Sequence, residues 1–477
     1  MRTKSERLIK WQFPGAGWPA IWGVVAGGLL VVNTACGQGQ GWVDGCDYAT
    51  PYTFTTIAGT PGPGGWGDGT NGAAQFNGPW ALAVDTNGNV YVADIYNNDL
   101  RKVRQAGTNW VVTTIAGTPE QSGSADGTNE NATFNAPAAI AIDGAGNLYV
   151  ADAGNNTIRK LTRVGANWVS STIAGTPSPG QPVFRDGTNG VATFYNPNGI
   201  AVDSLTNVYV GDSGNNVIRR VTPMGTNWVT TTIAGTVSTA GGFSDGTNQN
   251  ALFDEPAGLA IDGSGNIFVG DTGNDVIRKM TPVGTNWVVT TIAGAVGVPG
   301  PADGTNEAAL FYCPLLANGP MAIAVDTNDN LYVADAGDGL IRKVSPVGTN
   351  WVTTTLAGLY TAAGNNDGTG TNATFGDPTG IAVDETGRVF VGDSANNDIR
   401  EGTLALFVAA PNLGINHAGA AGSVTIWWPG SGFSLETNAN LATTNWGVYG
   451  GTVNSNNGTN SVTVPAAAGS LFFRLSD

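Results

Sequence analysis

Histidine is almost absent from this sequence, in which His417 is the single copy among 477 residues. One histidine in a Gly/Ala-rich stretch gives no basis for a Ser-His-Asp catalytic set. Cysteine is also scarce, occurring only at Cys36, Cys46 and Cys313. A Cys/His metal cluster is therefore excluded by count, and we predict neither catalytic residues nor a metal site of this kind.

Charge is sparse and unbalanced. Charged residues make up 12% of the chain, with 20 Lys and Arg against 36 Asp and Glu, and the net charge is −16. So acidic a surface repels a phosphate backbone. Nucleic acid is therefore excluded as the expected partner.

Long apolar runs are missing apart from one near the start. The stretch WPAIWGVVAGGLLVV follows four basic residues and is followed by the small residues Thr34 and Ala35. It is too short for a comfortable membrane span and is typical of an export signal. We predict a signal peptide over 1–35 and a secreted or bacterial cell-envelope protein, with no transmembrane segment once the signal is removed.

Two alternatives stay open for Cys36, which directly follows the small pair. It could be the acylated cysteine of a lipoprotein, although Asn33 stands where such motifs usually carry leucine. It could instead form a disulfide with Cys46 in an oxidising compartment.

Glycine and proline are plentiful by contrast, at 71 and 24 residues. With so few charges, this composition indicates many short strands joined by turns rather than long helices. The predicted fold class is all-β.

One thirteen-residue stretch occurs six times. Its copies read VYVADIYNNDLRK, LYVADAGNNTIRK, VYVGDSGNNVIRR, IFVGDTGNDVIRK, LYVADAGDGLIRK and VFVGDSANNDIRE. The aspartates that they share are Asp94, Asp152, Asp212, Asp271, Asp335 and Asp393. Their spacing of 58 to 64 residues is typical of a propeller or solenoid unit.

Each period reads as four short strands, which in one copy are AIAID, LYVAD, IRKL and NWVSSTIAGT. Three turns in so short a segment predict an antiparallel meander, which is a propeller blade. The fourth-strand motif already occurs at 52–60, before any blade, whereas the sixth blade ends at Arg400 without one. The N-terminal strand is therefore predicted to complete the last blade and close the ring.

The predicted architecture is a six-bladed β-propeller over 50–406, with an N-terminal linker at 36–49. A second linker at 407–421 leads to a small β-sandwich-like module over 422–477, which contains short strand patterns such as VTIWW and LFFRLSD. We expect a monomer.

The stretch PNGIAVDSLTNVYVGDSGNNVIRR, from Pro197 to Arg220, resembles the NHL repeat. The longer unit with TIAGT and DGT is similar to NHL-repeat proteins of many secreted bacterial chains. The resemblance covers all six blades and implies a propeller. It implies no single function, because NHL-type propellers include protein-binding, RNA-binding and enzymatic members.

Residues repeated in every blade are interpreted as structural, because a reaction centre is singular whereas a turn is needed six times. The six shared aspartates are predicted to accept hydrogen bonds in turns, and basic doublets such as Arg159-Lys160 to pair with carboxylates. The recurrent DGTN lacks the spaced oxygen ligands of an EF-hand loop. No cofactor is predicted there, and Ca²⁺ is kept as an alternative.

Residues without counterparts in the other blades are the candidate ligand contacts. They are Trp66 and Trp80 in the first loop, Arg185 and Tyr195 in the third, and Tyr312 in an insertion that only the fifth copy carries.

The leading hypothesis is an exported, non-enzymatic binding or scaffold protein whose propeller face recognises a protein or a glycan. The alternative is a metal-dependent lactonase- or lyase-like propeller enzyme with a site at the central channel. The resemblance disfavours an amidating lyase, because such enzymes hold their metal with several histidines. Lactonase-like propellers, which use carboxylate and amide ligands, stay open.

Overall fold

The computed structural model describes residues 52–405, apart from 179, 181–182, 313–321 and 361, together with short strands outside this range. The chain divides into two compact units. One is Val43–Ala405, and the other combines Met1–Trp42 with Leu406–Asp477. The three cysteines and most of the insertion in the fifth copy lie outside the described residues. Within the described part, no helix is long and apolar enough to cross a bilayer.

The larger unit consists of six antiparallel sheets of five strands each. The innermost strands are Pro79–Val84, Pro137–Ile142, Pro197–Val202, Pro256–Ile261, Ala322–Val325 and Pro378–Val383. The second strands are Val90–Asp94, Leu148–Asp152, Val208–Asp212, Ile267–Asp271, Leu331–Asp335 and Val389–Asp393. The third strands are Asp99–Ala106, Thr157–Val164, Val217–Met224, Val276–Val283, Leu340–Val347 and Asp398–Leu404. The fourth strands are Asn109–Ala116, Asn167–Ala174, Asn227–Ala234, Asn286–Ala293, Asn350–Gly358 and Tyr52–Gly59.

These six sheets confirm the predicted all-β six-bladed propeller. We number the blades 1 to 6 in the chain order of their innermost strands. Tyr52–Gly59 pairs with Asp398–Leu404, with Tyr52 opposite Leu404 and Gly59 opposite Asp398. The N-terminal strand therefore completes blade 6, as predicted, and the ring closes without exposing that edge.

A two-residue fifth strand lies at the outer edge of every blade, and the sequence does not predict it. These strands are Gly69–Thr70, Gly127–Thr128, Gly187–Thr188, Gly246–Thr247, Gly304–Thr305 and Gly368–Thr369. Each is followed by a 3-10 turn, namely Asn71–Ala73, Asn129–Asn131, Asn189–Val191, Asn248–Asn250, Asn306–Ala308 or Gly370–Asn372. The long connection between blades thus crosses to the outer edge of the next blade before it reaches that blade's innermost strand.

The core lies between neighbouring blades. Phe134 is fully buried and packs with Leu100 of blade 1 and Leu148 of blade 2. Tyr91 of blade 1 meets Trp168 of blade 2 edge to face, with the ring centroids 5.8 Å apart. Because similar apolar clusters recur between the other blades, burial stabilises the ring as a whole rather than single sheets.

The smaller unit contains two four-stranded antiparallel sheets. The first is formed by Gly414–Ala418, Ser423–Pro429, Thr459–Pro465 and Asn454–Asn456, and the second by Ile9–Gln12, Ser470–Ser476, Ser434–Asn438 and Gly447–Val448.

Two of these strands lie in segments to which the sequence assigns other roles. Gly414–Ala418 lies within the predicted linker 407–421. It is a strand there, because its residues pair with Ser423–Pro429. Ile9–Gln12 falls within the predicted signal peptide and pairs with Ser470–Ser476. Signal cleavage would remove this strand from its sheet.

Candidate functional site

Two kinds of connection meet at one end of the propeller. The connections between blades enter the innermost strands there, and the turns between second and third strands lie at the same end because neighbouring strands are antiparallel. Four of these turns form 3-10 helices, namely Ala153–Asn155, Ser213–Asn215, Thr272–Asn274 and Ala336–Asp338. We call this end the loop face.

The repeated aspartates end the second strands at the loop face, where they are fully buried. Asp152 is representative. Its Oδ1 accepts a hydrogen bond from the backbone N–H of Asn135 at 2.7 Å, and its Oδ2 accepts one from the side-chain amide of Asn155 at 2.8 Å. Burial raises the pKa of Asp152 to about 6. The carboxylate thus joins its own turn to the connection that precedes the innermost strand.

A buried arginine completes each of these networks. The Arg159 guanidinium lies 2.9 Å from both Asp152 and Asp126 and 4.8 Å from the centre of the Phe134 ring. Its equivalents Arg101, Arg219, Arg278, Arg342 and Arg400 are also fully buried. Asp126 belongs to the DGTN motif, and its Oδ1 also accepts a hydrogen bond from Thr172. A calcium ion at this carboxylate would have to compete with the guanidinium.

The innermost strands surround a central channel with a cavity of about 50 Å³. Its lining is mainly Ala, Gly, Ile and Leu, with Asn198 and Thr379 as polar residues. Across the described residues, no three His, Cys, Asp or Glu side chains are grouped so that they could hold a metal ion. The described lining therefore offers no carboxylate ligand for the enzyme alternative.

A larger polar pocket of about 600 Å³ opens on the loop face where the chain enters blades 3 and 4. Tyr195, Asn196, Asp254 and Glu255 contribute to its wall, and we call it the loop-face pocket. The backbone N–H groups of Tyr195 and Asp254 donate to the repeated aspartates Asp212 and Asp271, each at 2.8 Å. The repeated network thus positions residues that differ from blade to blade.

Two asparagines hold the pocket backbone in an unusual conformation. The Oδ1 atoms of Asn156 and Asn216 accept hydrogen bonds from the N–H groups of Asn196 and Glu255, each at 2.7 Å. Asn196 and Glu255 have φ angles of 48° and 50°, in the left-handed region that non-glycine residues rarely adopt. Ala136 of blade 2 has the same φ of 48°, and its N–H donates to Asn98 Oδ1 at 2.8 Å, so this conformation belongs to the repeated turn and fixes the backbone on which the pocket residues stand.

The two carboxylates of the pocket are available to a ligand. Burial raises the pKa of Asp254 and of Glu255, and the charge of Asp254 raises that of Glu255 further. Within the described residues, neither carboxylate accepts a hydrogen bond from a protein group. Together with the Asn196 amide and the Tyr195 phenol, they can bind a ligand that carries several hydroxyl groups.

The structure does not gather the five predicted contact residues at one site. Tyr195 lines the loop-face pocket. Trp66 is 53% exposed, Arg185 is exposed and Tyr312 is 36% exposed, each on a different connection. Trp80 is only 6% exposed and packs in a small apolar cluster between blades 1 and 2. Its ring is part of the core.

Sequence reasoning missed Asn196, Asp254 and Glu255. The sequence pattern that could have identified them is present in FYNP and FDEP. In each, two residues separate the recurrent Phe from the Pro that begins the innermost strand. These two positions differ between copies, and they lie at the loop face because the innermost strand starts there.

Comparison with protein families matches residues 69–162 to the Teneurin NHL domain. The chain is 26% identical over 343 residues to Protein SUPPRESSOR OF QUENCHING 1, chloroplastic, of Arabidopsis thaliana, a match that covers 68% of this chain and 30% of that protein. It is 28% identical over 312 residues to NHL repeat-containing protein 2 of Homo sapiens, which covers 58% and 40% respectively. The matched region thus spans less than half the length of these relatives.

Solved structures show the same fold. An auxiliary nutrient binding protein from Bacteroides thetaiotaomicron has a TM-score of 0.55 at 18% identity and covers 75% of this chain and 77% of its own. A protein of unknown function from the same organism has a TM-score of 0.53 at 21% identity, with coverages of 74% and 76%. Six repeats with one blade topology, an NHL family model that matches part of the chain and NHL-containing relatives together support its interpretation as an NHL-repeat β-propeller.

Proposed function

We propose that this protein is an exported, non-enzymatic binding protein that holds a glycan in the loop-face pocket. The observation that carries the proposal is the meeting of Tyr195, Asn196 and the two uncommitted carboxylates of Asp254 and Glu255 in one cavity of about 600 Å³. An aromatic ring beside planar polar groups suits the apolar face and the hydroxyl groups of a sugar.

Two further observations support this proposal. The segment 1–35 has the composition of an export signal, which would bring the protein to extracellular glycans. A structural neighbour is described as an auxiliary nutrient binding protein, although 18% identity extends only to the fold.

The test is a glycan-array screen of residues 36–477, followed by calorimetry with the best ligand. Tyr195→Ala and Glu255→Gln are each expected to weaken binding about tenfold, because they remove a stacking surface or a charge-assisted hydrogen bond. Trp66→Ala changes an exposed aromatic residue outside the pocket and serves as the matched control.

Equal affinity of the two pocket variants and the control would refute the pocket assignment. Release of a modified sugar by the wild-type protein would refute a non-enzymatic role. If no glycan binds but a protein ligand does, and Tyr195→Ala abolishes that binding, the pocket is a protein-docking site instead.

A further inference from the structure

Two grooves on the outer wall of the propeller are built alike. One of about 580 Å³ lies between blades 3 and 4, and one of about 540 Å³ lies between blades 4 and 5. We call them the rim grooves. They share no lining residue with the loop-face pocket.

Equivalent residues line the two rim grooves. Each has one basic side chain, two threonines from a fourth strand, an asparagine from the outer edge and a tryptophan. The first contains Arg220, Thr231, Thr232, Asn248 and Trp287, and the second contains Lys279, Thr290, Thr291, Asn306 and Trp351. The walls thus combine hydroxyl and amide groups with an indole and a cation, and the second groove also has Glu307 where the first has Gln249.

The basic side chain is the second residue of a doublet whose first residue forms ion pairs with two carboxylates. Arg278, for example, forms ion pairs with Asp271 and Asp245. Lys279 instead places its Nζ 5.6 Å from the centre of the Trp351 ring. Among the described residues, no carboxylate lies within ion-pair distance of Lys279 or of Arg220, and the buried Nε of Arg220 has no hydrogen-bond partner.

Blade 6 provides an internal contrast. The corresponding position there is Glu401, whose Oε1 accepts a hydrogen bond from Arg388 at 3.0 Å. A charge at this position can therefore be neutralised within the protein. The half-buried cations of the rim grooves are not neutralised in this way, and leaving a partly buried charge unpaired has a cost in free energy.

We propose that the rim grooves bind the acidic units of a saccharide that carries carboxylate or sulfate groups, because each groove holds a cation without a carboxylate partner among the described residues although the chain as a whole has a net charge of −16. The Arg220 or Lys279 cation would donate charge-assisted hydrogen bonds to the anion, while the hydroxyls of Thr231 and Thr290 meet the sugar hydroxyls. Two equivalent grooves on neighbouring blades let one polysaccharide chain bind at both, which strengthens binding through a high effective concentration.

The test compares three oligosaccharides of equal length, one neutral, one carboxylated and one sulfated, for binding to residues 36–477 by calorimetry. The wild-type protein is expected to bind at least one acidic oligosaccharide more tightly than the neutral one, and the preferred one identifies the anionic group. The double variant Arg220→Gln/Lys279→Gln is expected to lose about tenfold in affinity for each cation removed.

The matched control is Arg104→Gln/Arg163→Gln, which removes the same charge from exposed positions of blades 1 and 2. It is expected to bind within about twofold of wild type, as a small screened surface contribution predicts. Equal losses in the two double variants, or no preference of the wild type for either acidic oligosaccharide, would overturn the proposal. Tyr195→Ala should leave this binding unchanged, so that failure of the rim grooves and failure of the loop-face pocket are separable.

Discussion

At the residue scale, the most informative group is the buried arginine of each blade. Arg159 donates hydrogen bonds from its two terminal NH2 groups to two carboxylates and to the carbonyl oxygens of Thr133 and Ala125, while its buried Nε has no partner among the described residues. The removal of one partner from such a pair typically costs about 3–5 kcal/mol, because a buried charge is left without compensation. The Asp, Asn and Arg side chains of one copy resemble a binding site when they are considered alone. Because they recur from blade to blade and bind one another, they stabilise the fold.

Two other buried aspartates interrupt the repeat. Asp99 and Asp398 begin the third strands of blades 1 and 6, where blades 2 and 3 have Thr157 and Val217. Both are fully buried, and neither carboxyl has a hydrogen-bond partner in the described part of the chain. Burial and the charge of Asp94 raise the pKa of Asp99 to about 8, and burial with Asp393 raises that of Asp398 to about 7.

These two pKa values predict how stability depends on pH. In the unfolded chain an aspartate ionises near pH 4, whereas the folded chain keeps these two carboxyls protonated. The folded state therefore binds more protons, and the free energy of unfolding should fall as pH rises from about 4 to about 8. The double variant Asp99→Val/Asp398→Val should lose part of this dependence.

Chemical denaturation at pH 4.5 and pH 8 measures the effect. We expect the double variant to be more stable than wild type at pH 8 by about 1–3 kcal/mol for each carboxyl, because ionising a buried carboxyl that has no partner adds to its cost, and to gain much less at pH 4.5. Glu385→Gln, at an exposed site, should show no such difference. A gain that is equal at both pH values would contradict the raised pKa values.

At the element scale, the N-terminal strand holds the ring together. Tyr52–Gly59 lies between Asp398–Leu404 and Gly368–Thr369 in blade 6, and the Phe54 ring packs edge to face on Phe375 at 5.2 Å. Without this strand, the third strand of blade 6 would expose an unpaired edge and the cluster around Phe54 would open.

We predict that a chain beginning at residue 61 aggregates or unfolds at least about 10 °C below a chain beginning at residue 43, because burial between two blades is lost along with one ladder of hydrogen bonds. Thermal unfolding and light scattering provide the measurement. Addition of a peptide spanning 52–59 should partly restore the melting temperature of the shorter chain. Equal stability of the two chains would show that closure contributes little.

The fifth strands show why one element escaped prediction. Two residues are too few for the alternation of apolar and polar side chains that reveals a strand. The recurrent DGT does mark the position, since Gly127 and Thr128 lie opposite Ser170 and Val169, but its pairing depends on a partner about forty residues further along the chain. Only the folded blade brings the two together.

At the scale of the whole molecule, the N-terminal segment can be either a signal or a structural strand. The composition of 1–35 predicts cleavage, whereas Ile9–Gln12 pairs with Ser470–Ser476 in the smaller unit. After cleavage, Ser470–Ser476 still pairs with Ser434–Asn438. The sheet therefore loses an edge strand and keeps its centre.

Intact-mass spectrometry of the protein recovered from an exporting bacterial host tests this point. We expect a mature chain that begins at Cys36, because small residues precede the cleavage site. An added mass equal to a diacylglycerol group would identify Cys36 as lipidated, and a mass lower than that of the reduced chain by two hydrogen atoms would indicate the disulfide with Cys46. Retention of Met1 or Arg2 would contradict the export prediction.

The number of blades, their four longer strands and the closure by the N-terminal strand could all be predicted from the amino-acid sequence, because each follows from counting a repeated local pattern. The sequence also placed Tyr195 among residues that differ between blades. The folded structure was needed to show that Trp80 is buried, that the DGTN aspartates pair with arginines, and that Asn196, Asp254 and Glu255 meet Tyr195 in one pocket. The physical reason is that these contacts join different blades or distant turns, and the geometry of ring closure brings such groups together whereas local propensity does not.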